Sequence, residues 1–550
     1  MTVNFKNTVK FIKNTFKKEI AILWVFSVLL GFALVVLWNK GRLPLETGDF
    51  VFISLLSLLV ALYRPRWIFF LFISLVPFEN IILASGFLPI QIRPYQFLGG
   101  ILVAAMAILG TSKKLNCQFL KPSWIDWLVF SLAPLSFLPL LASSSKSAIL
   151  KNNLILISFI VLYYLIRNFT RNRDDAIKTA LFFIGSYIAV NAYGFYQVFA
   201  EKFGAKSFEI MFGRPNSTFA EPDWLGIYLC FALAVLLSCV HYLTHKEPKL
   251  AAIKNYFLAI LGLLVFLDIT LLVLTLSRSA WIGSALLLAV FLLLSFFRKT
   301  GAEITFSVRD FRNNLAAVLV VVGISLSAIH FGNLSKFDIF DRARSTATNE
   351  QKITIACNKD SDVPPVVSSI DELAKHNCQH INLEDIESFK SRGENVVEIY
   401  RKDPNVMTRG MIYRKSWEII KTHPVLGVGF GTITQNLGDD ERGAGLNESN
   451  IFLQVWAGCG ILGMAAFIAV FGFLFIYSFR RISPVCPLNR IIGCPVVRED
   501  TRKTFYLFSV LGILALLVPN LFNAGLFMGI FWIGLALIIS IEKVVVSSSK

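Results

Sequence analysis

Charged residues are scarce in this chain: Asp, Glu, Lys and Arg make up 16% of 550 residues, while 55% are hydrophobic and the mean hydropathy is +0.63. That balance excludes an ordinary water-soluble domain, because so few ionised groups could not cover so large an apolar surface. No small-residue cleavage site follows the first apolar run, so the sequence predicts a retained first span and not a removable leader. The glycines of Gly427-Val-Gly-Phe-Gly match neither the dinucleotide nor the P-loop spacing, which speaks against nucleotide binding. No internal repeat of the kind built into secondary transporters is visible. Acidic residues are outnumbered, giving a net charge of +17. That excess could suggest nucleic acid, but its distribution speaks for membrane anchoring.

What the chain has in abundance is apolar runs long enough to cross a bilayer core, which takes about 20 helical residues. Fourteen are expected, near 20–38, 49–63, 67–84, 94–110, 123–142, 150–167, 177–199, 224–242, 255–276, 280–297, 315–331, 451–478, 504–519 and 524–542. The stretch 256–297 carries only Asp268 and Arg278 as charges, so it must fold as two spans with a tight turn near Ser277–Ser279. Lys6, Lys10, Lys13, Lys17 and Lys18 precede the first span. Alternate segments, counted from this one, hold roughly three times as many Lys and Arg as the short loops between them, which orients the N-terminus toward the cytoplasm. The basic side then lies on anionic lipid.

The fold class expected is an all-α polytopic membrane protein of about 14 transmembrane helices, with one large helical extracytoplasmic loop before the twelfth. Its parts are a basic cytoplasmic N-terminus (1–19), helices 1–11 (20–331), the outer loop (332–449), helices 12–14 (450–542) and a cytoplasmic tail (543–550). The loop holds 15 Lys and Arg against 18 Asp and Glu, so it is slightly acidic in a basic chain. Asn382 and Asp385 read as a helix start and Gly393 as its stop; Arg409–Lys421 reads as a second helix ended by Pro424. Cys357 and Cys378 are the loop's only cysteines, and in an oxidising compartment they are candidates for a disulfide.

Three arginines fall at the outer rim. Arg214 stands in Gly213-Arg-Pro-Asn-Ser-Thr-Phe-Ala-Glu-Pro-Asp-Trp, Arg278 in Leu276-Ser-Arg-Ser-Ala-Trp at the hairpin tip, and Arg409 at the head of a loop helix. A guanidinium fork binds phosphate through two parallel charged hydrogen bonds, so arginines converging at the lipid–water boundary suit a lipid-linked diphosphate. The plain alternative is a rim arginine reaching for headgroups, the reading preferred for Arg93. Lys421-Thr-His-Pro-Val-Leu-Gly-Val-Gly-Phe-Gly-Thr reads as a helix stop and glycine turn, with His423 at the helix end. Glu448, Ser449 and Asn450 precede the twelfth span, either as capping residues or as groups that orient or deprotonate an acceptor hydroxyl, Glu448 being the one strong base. Asp268, inside a span, is a further acid of functional interest or a structural one.

The order of these segments is more telling than any one of them. Arg214-Pro-Asn-Ser-Thr-Phe-Ala-Glu-Pro-Asp before a span, Leu-Ser-Arg-Ser-Ala-Trp at a hairpin, and a large loop ending in His-Pro-Val-Leu-Gly-Val-Gly and Asn450-Ile-Phe-Leu-Gln-Val…Gly-Ile-Leu-Gly resemble the O-antigen ligase/polymerase superfamily over roughly residues 180–480. The resemblance implies transfer of a glycan from an undecaprenyl-diphosphate-linked donor to an acceptor hydroxyl of a lipid, glycan or protein. It places the work at the outer face of the bacterial inner membrane, without metal, cofactor or nucleic acid. It assigns the diphosphate to Arg214, Arg278 and Arg409; for the acceptor it leaves two options, Glu448 beside Ser449 and Asn450 substituting for a family histidine, or an acceptor handled differently. Many ligases carry a His-Asn pair where this chain has Ser449-Asn450, so no histidine stands there. The extension near 345–400 also departs from a minimal member. A multi-span solute transporter of the same superfamily, or a non-catalytic assembly subunit, is the alternative.

Overall fold

The computed structural model describes residues 18–84, 91–112, 119–141, 145–205, 207–211, 213–245, 251–300, 303–358, 364–381, 385–438, 446–482 and 500–547. The basic N-terminal lysines up to Lys17, the tail beyond Ser547 and Asn382 lie outside them. An apolar helix stands at each of the fourteen expected places. In chain order these are α1 (Lys18–Asn39), α2 (Thr47–Tyr63), α3 (Pro65–Leu75), α4 (Pro94–Thr111), α5 (Trp124–Phe137), α6 (Lys146–Phe169), α7 (Arg173–Lys202), α8 (Pro222–His245), α9 (Ala251–Leu274), α10 (Arg278–Phe296) and α11 (Val308–Gly332). The long polar loop and the last three helices follow. Ten helices among the described residues are long and apolar enough to cross a membrane by length and composition, and four are shorter.

Helix α8 is the hub: 83% of its apolar stretch is buried, against 11% for α11 at the periphery. A helix that is apolar all round belongs inside a bundle or against lipid, and these two take the two options. Helix α8 packs on α9 and on α17 (Asp500–Leu517), while α16 (Ile451–Ile482) packs on α5 and α17, and α18 (Gly529–Ser547) on α6. An ion pair buried between helices pins one end of this group. Arg167 Nε lies 3.0 Å from Asp126 Oδ1, Tyr163 donates to the same oxygen at 2.6 Å, and Arg167 Nη1 donates to Ser540 Oγ. All three guanidinium nitrogens and both carboxylate oxygens have hydrogen-bond partners, the condition under which a buried pair is tolerated.

Two expected spans are shorter than the apolar runs that announced them. The third is helical only to Leu75; beyond Pro77 the chain turns. There Thr218 Oγ1 donates to Pro77 O and Asn80 N donates to Thr218 O, tying the turn to the Arg214–Phe219 segment. The last helix starts at Gly529, because 519–527 form two short 3₁₀ turns. Hydropathy alone cannot separate a buried irregular segment from a helix.

The loop is not wholly helical, which corrects the expectation. Helix α12 (Ile339–Thr348) leads into strands β3 (Glu350–Cys357), β4 (Val366–Val367), β5 (Cys378–His380) and β6 (Asn395–Lys402), with α13 (Ile386–Ser391) between the last two. A small hairpin, β1 (Phe297–Thr300) and β2 (Glu303–Phe306), precedes α11. The four loop strands order as β4-β6-β3-β5, antiparallel except for the β4–β6 pair. Ile353, Ile355 and Cys357 alternate onto one buried face with Ile399 and Leu373. That period of two in Lys352-Ile-Thr-Ile-Ala-Cys is a strand signal. Cys357 and Cys378 face each other across β3 and β5 and form a disulfide. The expected helix near Asp385–Gly393 is present as α13, and Gly393 adopts φ 80° just past it. The Arg409–Lys421 helix begins earlier, at Pro404, and runs as α14 (Pro404–Thr422), followed by α15 (Thr432–Leu437).

Candidate active site at the α9–α10 turn

Arg214 is held by the backbone at its side. Its Nε donates to Thr275 O at 2.9 Å, and Nη2 lies 3.4 Å from Asp223 Oδ1. Thr275 belongs to the turn between α9 and α10. Leu276 there takes φ 54°, a left-handed conformation that a non-glycine residue adopts only when its surroundings impose it. Ser277, in the same turn, hydrogen-bonds Asp223 through its side chain. Arg278 then opens α10 and pairs with Asp403, Nη1 to Oδ2 at 2.6 Å, with both side chains buried. Asp403 is the residue between β6 and α14, so the loop reaches down to the hairpin tip.

The other two expected features join the same network. Arg409 lies on α14, exerts its charge on Asp223, and sits 5.9 Å above the Phe522 ring. Tyr413, one turn further, donates to Ser449 O and to Leu521 O at 3.2 Å each. Burial pushes the Tyr413 phenol up while the Arg409 charge opposes the shift. Asn450 Nδ2 donates to Leu521 O at 2.9 Å, and its Oδ1 accepts from Phe452 N and Leu453 N, so it caps α16 with one end and grips the 519–523 turn with the other. Ser449 has φ 46°; its N–H bonds the Asn447 side chain at 2.9 Å, and its hydroxyl leans back toward Asn447 at 3.4 Å. Glu448 is buried, and burial raises its carboxyl above the usual range, opposed by its own backbone N–H. No described arginine pairs with it.

The structure therefore gathers Arg214, Arg278 and Arg409 around Asp223 and Asp403. It adds Arg342, which the sequence reading missed. Arg342 stands on α12 close enough to Arg278, Arg214, Asp403 and Asp223 to feel all four charges. Burial first, then repulsion by Arg278 and Arg214, push its guanidinium down to about 10. It remains charged at neutral pH. Four cations against two acids leave the rim site net positive. Asp223, Asp403 and Tyr413 were also missed. Asp223 was in plain view, nine residues after Arg214; Arg342 and Asp403 are placed by tertiary contacts between distant segments. Arg93 lies elsewhere, among Glu79 and Tyr95. Asp268 is fully buried inside α9 beside Tyr187 and takes no part in the rim cluster.

His-Pro-Val-Leu-Gly-Val-Gly is a brace. Helix α16 breaks at Gly460 (φ 65°, ψ −172°), which frees backbone groups around the break. Val428 N and Gly429 N donate to Ala457 O at 2.8 and 2.9 Å, and Ile461 N donates to Pro424 O at 3.1 Å. A Cβ at Gly427 would meet Ala457 O at 2.6 Å, so only glycine permits the approach. His423 is exposed and bonds Thr422.

No curated protein matches the chain. The family model described as O-antigen ligase matches residues 263–468, a segment that includes Arg278, Arg342, Asp403, Arg409 and Glu448 through Asn450 and leaves Arg214 and Asp223 outside. Over this segment the chain is similar to the O-antigen ligase family.

Proposed function

We propose that the protein transfers a glycan from an undecaprenyl-diphosphate-linked donor to an acceptor hydroxyl at the outer face of the cytoplasmic membrane. In this reading the fourteen apolar helices all span, residues 332–449 lie outside, and the rim arginines grip the donor's diphosphate. The observation that carries the reading is the convergence of four guanidinium groups from separate segments on two carboxylates. Arg214 and Arg278 flank two transmembrane helices, so this cluster would stand where a lipid-linked headgroup emerges.

The chemistry follows from charge. The acceptor oxygen attacks the anomeric carbon, the bond from that carbon to the diphosphate oxygen breaks, and the departing diphosphate keeps the electron pair. Negative charge therefore grows on the leaving group, and fixed cations stabilise it more in the transition state than in the ground state. The acceptor proton goes to Glu448. Its raised carboxyl is a better proton acceptor than an ordinary exposed one once ionised, and it sits one residue from the carbonyl that Tyr413 ties to the arginine helix. Ser449 and Asn450 hold that carboxyl's segment at the entry of α16.

The test is a purified-protein assay with a lipid-linked oligosaccharide and candidate acceptors, reading released undecaprenyl diphosphate and the glycosylated product. Chain growth identifies a polymerase and a single attachment a ligase. Absence of product with every class of acceptor, or full product from Arg278→Ala, removes the proposal.

A further inference from the structure

Residues 350–402 leave the chain and return to it at a single point. Asp403 N donates to Asn349 O at 2.7 Å, and Glu350 lies opposite Lys402 in the β3–β6 register. The excursion has its own apolar core and its own disulfide. Both of its feet belong to the rim site: α12, with Arg342, runs in, and α14, with Arg409, runs out. Between the feet sits Asp403, whose side chain is 0% exposed and touches Arg278 at 2.6 Å. A group so enclosed cannot meet a substrate. What it can do is select one rotamer for a guanidinium that would otherwise sample several, so that the fork already stands in place when charge develops on the leaving group. A strand end closed by a backbone hydrogen bond is a rigid mount for that carboxylate.

We propose that Asp403 is a positioning residue: it fixes the Arg278 fork for the donor's diphosphate, and the stem of the 350–402 excursion fixes Asp403. This rests on the transferase reading above and deepens it. It also gives the extension a task inside the site instead of beside it.

The experiment uses the full-length protein in detergent, with transfer from a lipid-linked oligosaccharide as readout, and compares wild type, Asp403→Asn, Asp403→Glu, Arg278→Ala and the Arg278→Ala/Asp403→Asn double variant. Displacing a reacting-site group by about 1 Å can cost on the order of a hundredfold. Asp403→Asn is therefore expected to lower kcat by about 10–100-fold with donor KM within about threefold, and to cost nothing further, within about twofold, when Arg278 is already Ala. Asp403→Glu keeps the charge and the fold but moves the carboxylate by one methylene, so it is expected to lose about tenfold in kcat with an unchanged unfolding midpoint. Wild-type kcat in Asp403→Glu would show that charge alone matters and overturn the positioning role. So would an equal loss from Asp403→Asn in the Arg278→Ala background. If Asp403→Asn does not fold, the Asp403→Glu result decides alone. An inactive wild type would instead refute the transferase reading itself, so the two failures are distinct.

Discussion

Arg342 allows a sharp test, because the same feature that would help a diphosphate should burden the empty protein. Its guanidinium is pushed down from the ordinary arginine range to about 10, by burial and by the charges of Arg278 and Arg214. At 1.36 kcal/mol per tenfold change in proton affinity, that corresponds to about 3 kcal/mol of unfavourable folding energy at neutral pH. Partial exposure and relaxation of neighbouring groups reduce it to about 1–2 kcal/mol. Arg342→Gln shortens the side chain, keeps a polar planar head and removes the charge. In thermal unfolding without donor, the variant is expected to melt at the same temperature as wild type or a few degrees higher, the burden lifted being offset by the hydrogen bonds lost. With saturating donor, wild type gains stability by mass action, about 2.7 kcal/mol at a hundred times Kd. The variant should gain much less. Transfer should fall by about 10²–10³-fold, the loss typical of removing one fixed charge-stabilising donor. A variant that is less stable without donor yet transfers at the normal rate would refute this reasoning, because Arg342 would then be a structural cation with no part in binding.

Three further outcomes are expected. Glu448→Gln should abolish transfer; in wild type, transfer should decline as pH falls through the raised carboxyl range, and a flat profile in both proteins would remove Glu448 as the base. Because burial raises this carboxyl above its unfolded value, its contribution to stability is most favourable at low pH and is lost as pH rises through the folded value, so Glu448→Gln should match or exceed wild-type stability near pH 7 and lose that advantage in acid. Replacing both Cys357 and Cys378 by Ser removes a crosslink with a sequence separation of 21, worth about 3 kcal/mol to the loop sheet; hydrogen exchange should quicken in 350–402 and not in the helices. Gly460→Ala would drive a Cβ into Val425 O at φ 65°, costing at least about 1–3 kcal/mol by detergent unfolding, and an unchanged midpoint would mean that the kink is not held by the His423–Gly431 brace.

The sequence by itself determined where the apolar helices lie, because a span is written in the composition of one contiguous stretch and needs no partner to be seen. It also singled out Arg214, Arg278 and Arg409, which the structure brings together, and Cys357 and Cys378 as the one pair of cysteines in the long polar loop. It could not show that the third and last runs end in irregular backbone at Pro77 and 519–527, since those turns are satisfied by bonds to Thr218, Asn450 and Tyr413 from distant segments. The loop sheet was legible in the alternation of Lys352-Ile-Thr-Ile, but short strands gain their stability from partners far along the chain, so a local reading favoured helices. Arg342 and Asp403 were not legible at all. An arginine among polar loop residues comes under the charges of Arg278 and Arg214, and an aspartate beside a proline pairs with Arg278, only when folding sets α12, the α9–α10 turn and the foot of β6 side by side. Charge–charge attraction acts through space, and that proximity was decided by the tertiary structure.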